Sequence, residues 1–164
     1  MVTWILAWLH VISAIGWLGG GILFGFVIAP GLAKVSPSGS GEFLVMIAPR
    51  VGLFFQIIAG LTILFGALLL YNVGGFGLLT LSTTYGLNLS IGVTLALVAF
   101  VVSEFIAVPT LFKAIRMIKA MQASGAHQPP AEFPRAMKIA NGTAMLTVIL
   151  LILTSVFMVG AGFY

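Results

Sequence analysis

The chain contains no cysteine, which excludes thiolate metal sites, disulfides and thiol redox chemistry together. Charge is nearly as scarce. Only 6% of residues are Asp, Glu, Lys or Arg against 61% hydrophobic ones, too few to cover a water-soluble surface. A P-loop, a zinc-protease motif, a nucleophile elbow and a dinucleotide fingerprint are also missing, and no internal repeat is visible. Dense catalytic groups are absent, so the sequence assigns no enzymatic reaction. Greasy runs remain, and they define an integral membrane protein.

Four apolar stretches are each long enough to cross a hydrocarbon core of roughly 30 Å as a helix of about 20 residues. They run from about Val2 to Pro30, Arg50 to Tyr71, Leu87 to Lys113 and Arg135 to Phe163. Their apolar residues are continuous rather than alternating, which favours helices over a barrel. The expected fold is therefore all-α, a single transmembrane domain forming a four-helix bundle. The first run lacks a basic start and outlasts a signal-peptide core, so it reads as a retained span. Three Gly-, Pro- and Ser-rich segments, Lys34 to Glu42, Asn72 to Gly86 and Met121 to Pro134, read as loops. Pro109 falls inside the third span and is expected to kink or end its intramembrane part.

All seven basic residues flank two of the three loops. Lys34 and Arg50 border loop one, while Lys113, Arg116, Lys119, Arg135 and Lys138 border loop three. The positive-inside rule then places loops one and three in the cytoplasm and both termini outside, for a multi-pass protein of the cell membrane. The net charge of +4 belongs to this rim, where anionic lipid headgroups are the natural partner and nucleic acid has no support.

One of the two histidines, His10, lies inside the first span in "WLHVISAIGWLGGG". By helix rise it sits about 12 Å below the outer end, at the depth of Thr62 and Gly66, of Asn88 and Thr94, and of Thr154, Ser155 and Met158. Its face also carries Thr3, Ala7, Ser13, Ala14, Trp17 and Gly21, which suits the bundle interior. An ionisable ring at that depth is costly and marks function by default. Three roles fit it: a neutral residue bonded to Ser or Thr hydroxyls, an axial haem ligand, or a copper ligand or proton relay. The other histidine, His127, belongs to loop three, so a bis-histidine haem within one chain is excluded. Iron at His10 would need that ligand alone, Met158, or a histidine from another subunit. Gly16, Gly20, Gly21 and Gly25, four or five apart, allow close helix packing or leave room for a flat cofactor, with Gly21 and Gly66 as its candidate neighbours. Glu104 is the lone acid within a span. Arg50 is its expected partner, with Gln56 and Ser103 as hydrogen-bonding alternatives and a proton role open.

The segment "WLHVISAIGWLGGGILFGFVIAP" resembles the first helix of a superfamily of four-helix membrane units that includes the copper resistance protein D domain and the HemJ-type protoporphyrinogen oxidases. A Leu-His pair followed by Trp-x-Gly-Gly is its recurrent opening, and "APRVGLFFQIIAGLTILFGALL" extends the likeness into the second span. The resemblance implies that His10 binds haem b, in a redox or electron-transport accessory role. Its copper branch implies a copper-handling membrane protein instead. The basic residue near the histidine and the third-span lysine of the HemJ-type enzymes have no counterpart before Lys113 here. A third reading is a non-catalytic subunit of a larger membrane complex or a homo-oligomer, with His10 merely buried.

Overall fold

The computed structural model describes residues 1–32, 34, 37–126, 128 and 130–162. Among them there is no strand, and four helices are long and apolar enough to span a membrane. They are α1 (Val2–Gly31), α3 (Ala48–Val73), α4 (Thr84–Ser124) and α5 (Phe133–Ala161). A shorter helix, α2 (Pro37–Met46), precedes α3.

Local chemistry sets the ends. Proline stands in the first turn of α3 and of α5, where its missing N–H is no loss. Thr83 caps α4, its hydroxyl accepting from the Gly86 N–H at 3.1 Å. Gly125 closes α4 with a φ of 65°, and the amides of Gly125 and Ala126 turn back to the carbonyls of Gln122 and Met121.

Loop one differs from its expectation. Its Gly- and Ser-rich composition reads as irregular chain, yet α2 forms there because Leu44 is buried with Ala48 of α3 and Ile115 of α4. The third span is also longer than its apolar run. Pro109 neither ends nor breaks it; instead Ser103–Ala107 widen into a π-helical turn and the helix continues to Ser124. A second widened turn, Leu23–Ile28, precedes Pro30 in α1. Proline cannot donate to a carbonyl four residues back, and a widened turn accommodates that missing bond without unwinding the helix.

Helix α1 packs along α3, and α4 along α5, in two antiparallel pairs. Registers are fixed by glycines. Gly16 lies under Ile58 and Gly20 under Phe55 in the first pair, while Gly92 meets Met158 and Gly160 meets Asn88 in the second. At the far end of the first pair the Thr3 hydroxyl donates to the Asn72 side-chain carbonyl at 2.6 Å. The pairs join through a cluster of Trp17, Ala59, Ala99 and Leu151, one residue from each spanning helix, with Trp17 edge-on to Phe100. Large side chains such as Trp4, Ile12, Ile15, Phe105 and Val156 point outward, whereas alanines dominate the interior. That distribution suits hydrocarbon as solvent, because close packing of small residues replaces the hydrophobic effect as the force between helices. Loops one and three lie at the same end, where Gly52 of α3 meets Phe112 of α4, so the basic residues gather there. We refer to it as the basic end.

Candidate functional site

His10 stands on the inner flank of α1, half-buried against α3. Its Nδ1 lies 2.9 Å from the main-chain carbonyl oxygen of Thr62. A carbonyl can only accept, so Nδ1–H is the donor, which leaves Nε2 as the ring nitrogen able to offer a lone pair. Gly66, one turn beyond Thr62, makes this approach feasible. A Cβ at that position would lie 2.9 Å from Cε1 and 3.0 Å from Nδ1 of the imidazole, so the Nδ1–Cε1 edge of the ring meets bare backbone.

The partner differs from the hydroxyls that depth counting suggested. Thr62 Oγ1 donates to Ile58 O, Thr94 Oγ1 to Ser90 O and Ser155 Oγ to Ile152 O. Serine and threonine in an apolar helix satisfy themselves on the preceding turn, which withdraws them from a neighbouring histidine. Nε2 has no hydrogen-bond partner among the described residues. No described side-chain nitrogen or oxygen is both sealed and unpartnered, so Nε2 is open to its surroundings. An imidazole clamped through Nδ1–H to a backbone carbonyl, with Nε2 open, has the donor geometry of a metal-ligating histidine.

The other candidate residues are dispersed. Met158 packs on Gly92 in the α4 and α5 pair, so it belongs to a different helix contact from His10. Gly21 lies farther along α1, where a Cβ would meet Val148 at 3.0 Å. Gly66 alone of the proposed cofactor neighbours touches the His10 ring. His127 lies outside the described residues. No group of three or more His, Asp or Glu side chains is placed to hold a metal among the described residues.

Glu104 sits in the widened turn of α4, half-buried. Its carboxylate accepts from the Ser103 hydroxyl at 3.4 Å and interacts with the Gln56 side chain of α3. Arg50 is directed elsewhere, donating to Met46 O at 3.0 Å on the exposed surface. The ion pair at this end joins Lys113 to Glu132 at 3.0 Å, both well exposed, so it contributes little to stability.

Between the two widened turns a cleft of about 90 Å³ opens inside the bundle, lined by Trp17, Gly25, Ser103, Asn141 and Val148 among others. His10 is not among its walls. Sequence reasoning missed it, although the signal existed: two prolines, Pro30 and Pro109, stand at matching heights in α1 and α4.

These features define a small multi-pass membrane protein with four spanning helices among the described residues. Searches against protein-family models, curated proteins and solved structures find no match.

Proposed function

We propose that the protein is a haem-associated membrane protein, redox-active or accessory to a redox system, in which His10 Nε2 is an axial ligand. The observation that carries this reading is the Nδ1–H bond to Thr62 O, which fixes the ring and leaves Nε2 as a lone-pair donor at membrane depth. Gly66, having no side chain, leaves room for the ring to reach that carbonyl. The cleft at the basic end is too small for a macrocycle and is not walled by His10, so it is not where haem would bind. Met158 is committed to the other pair, so among the candidate residues His10 is the one that would hold the group. Bound there, haem would supply one-electron chemistry. The chain's own part is to hold the imidazole in one tautomer and to exclude bulk water from it.

Copper fits less well, since copper sites draw on several N or S donors and the described residues offer one nitrogen here. A second reading rests on the same bond. Without a ligand, the His10 to Thr62 bond is a clasp between α1 and α3, as expected of a structural subunit. Protein extracted in mild detergent should show a strong Soret band that is lost in His10→Ala. Copper by elemental analysis without that band would select the copper reading. A colourless, metal-free protein would select the clasp.

Orientation follows from the charge. With every basic residue at one end, loops one and three belong in the cytoplasm and both termini outside. A periplasm-dependent reporter fused after Tyr164 should be active; activity of a cytoplasm-dependent one would invert the assignment.

A further inference from the structure

We propose that the cleft between the two widened turns is a binding site for a neutral, membrane-dissolved molecule, held through a carbonyl oxygen by the indole N–H of Trp17. The inference does not depend on His10.

Trp17 is 2% exposed, the most completely buried large side chain in the protein. Its indole nitrogen can only donate, and no described residue accepts from it. Because no described polar side-chain atom is both sealed and unpartnered, that nitrogen must border open space. The space Trp17 lines is the cleft. An interior donor without an acceptor is uncommon in folded proteins and points to a missing partner.

Shape and chemistry limit that partner. All four spanning helices contribute walls, and the walls are mostly apolar, so a charged ligand would be poorly accommodated. The widened turns of α1 and α4 both reach the cleft, through Gly25 on one side and Ser103 and Ala107 on the other. Asn141 of α5, exposed and without a hydrogen-bond partner among the described residues, adds a second polar group at the wall. A single ring or an ester group fits the volume, with its oxygen toward Trp17 and its apolar remainder directed out between the helices. Two membrane constituents carry that chemistry: the carbonyl of a lipid-soluble quinone and the acyl ester of a phospholipid.

Trp17 itself is the reporter. Trp4→Phe and Trp8→Phe remove the other two indoles, which are exposed near the opposite end. The protein is then placed in vesicles of ether-linked phosphatidylcholine, which lack ester carbonyls, and titrated with a short-chain ubiquinone. Gly25→Leu fills the cleft at a position where an added Cβ meets nothing within 4 Å. Ala144→Leu fills it from α5 and serves if the first variant fails to fold. A quinone site gives saturable quenching of Trp17, with the half-point raised about tenfold by the filling variants, the size of one lost good contact. A lipid-ester site gives no saturable quenching. It shows instead as a Trp17 emission shift between ester- and ether-linked vesicles that the filling variants abolish. Quenching linear in quinone and equal in the filled variants, with no difference between the two lipids, would overturn the proposal. The titration is repeated in the His10→Ala background, where no haem can quench Trp17; the same half-point and the same tenfold shift there keep failure of the haem assignment separable from failure of this one.

Discussion

Replacing Gly66 with alanine should destabilise the protein by about 1–3 kcal/mol, a cost typical of overpacking at a closed contact. The added methyl would sit 2.9 Å from Cε1 and 3.0 Å from Nδ1 of His10, so either the ring swings away or α1 and α3 separate. If the ring swings, its bond to Thr62 O is lost and Nδ1–H is left without its acceptor. A neutral hydrogen bond of this kind is worth roughly 1 kcal/mol. The coupling between the two residues is the decisive measurement. Since the clash is with the imidazole, His10→Ala should remove most of the cost of Gly66→Ala, and thermal unfolding in detergent of the two single variants and the double variant measures this. Equal cost of Gly66→Ala in both backgrounds would show that the ring is not what the methyl meets. Valine at position 66 should cost more than alanine, because its two γ-methyls have the same backbone on one side and the same ring on the other.

The number of spanning helices and their polarity pattern were legible in the composition, because only continuous apolar runs satisfy a bilayer. Four details were not. Helix α2 arises from a tertiary contact: Leu44 must be buried against Ile115, a residue of α4 far away in sequence, and that burial overrides the turn-like composition around Ser38 and Gly41. Pro109 carried a correct signal of disturbance, but a widened turn and a kink answer the same missing N–H, and the sequence does not distinguish them. Helix depth, counted from rise per residue, put His10 level with Thr62 and Glu104 within reach of Arg50. Depth fixes Cα heights and leaves side-chain direction open. Thr62 accordingly offers His10 its carbonyl while its hydroxyl is engaged with Ile58, and Arg50 turns to Met46 rather than to Glu104. The burial of Trp17 with an unpaired donor has no sequence signature, since the same residue spacing would also fill a closed core.

The larger effect of a single added methyl is expected at Gly86, in the first turn of α4. Thr80 and Leu78, in the connection from α3, fold back over this turn and aim their carbonyls at it. A Cβ on Gly86 would stand 2.6 Å from the Thr80 carbonyl oxygen and 3.0 Å from that of Leu78. The Thr80 γ-methyl is nearer still, at 2.5 Å, but the two carbonyls are main chain, which cannot rotate aside as the end of a side chain can. Thr80 is further held by its own contacts, its amide donating to Leu78 O at 3.0 Å and its hydroxyl paired with that of Ser82 at 2.7 Å. Gly86→Ala must therefore lift the whole connection off the start of α4. The displacement also pulls the Gly86 amide from the Thr83 hydroxyl that caps the helix. Two penalties combine: overpacking of about 1–3 kcal/mol and loss of a cap worth roughly 1 kcal/mol. Thr83→Ala removes only the second. Thermal unfolding in one detergent should rank Gly86→Ala below Thr83→Ala, and both below the parent protein. If Gly86→Ala unfolds with the parent, the connection does not pack over α4 in the membrane-embedded protein. Because this contact lies at the end opposite the basic residues, its loss should leave fluorescence from Trp17 in the bundle unchanged until the helices themselves come apart.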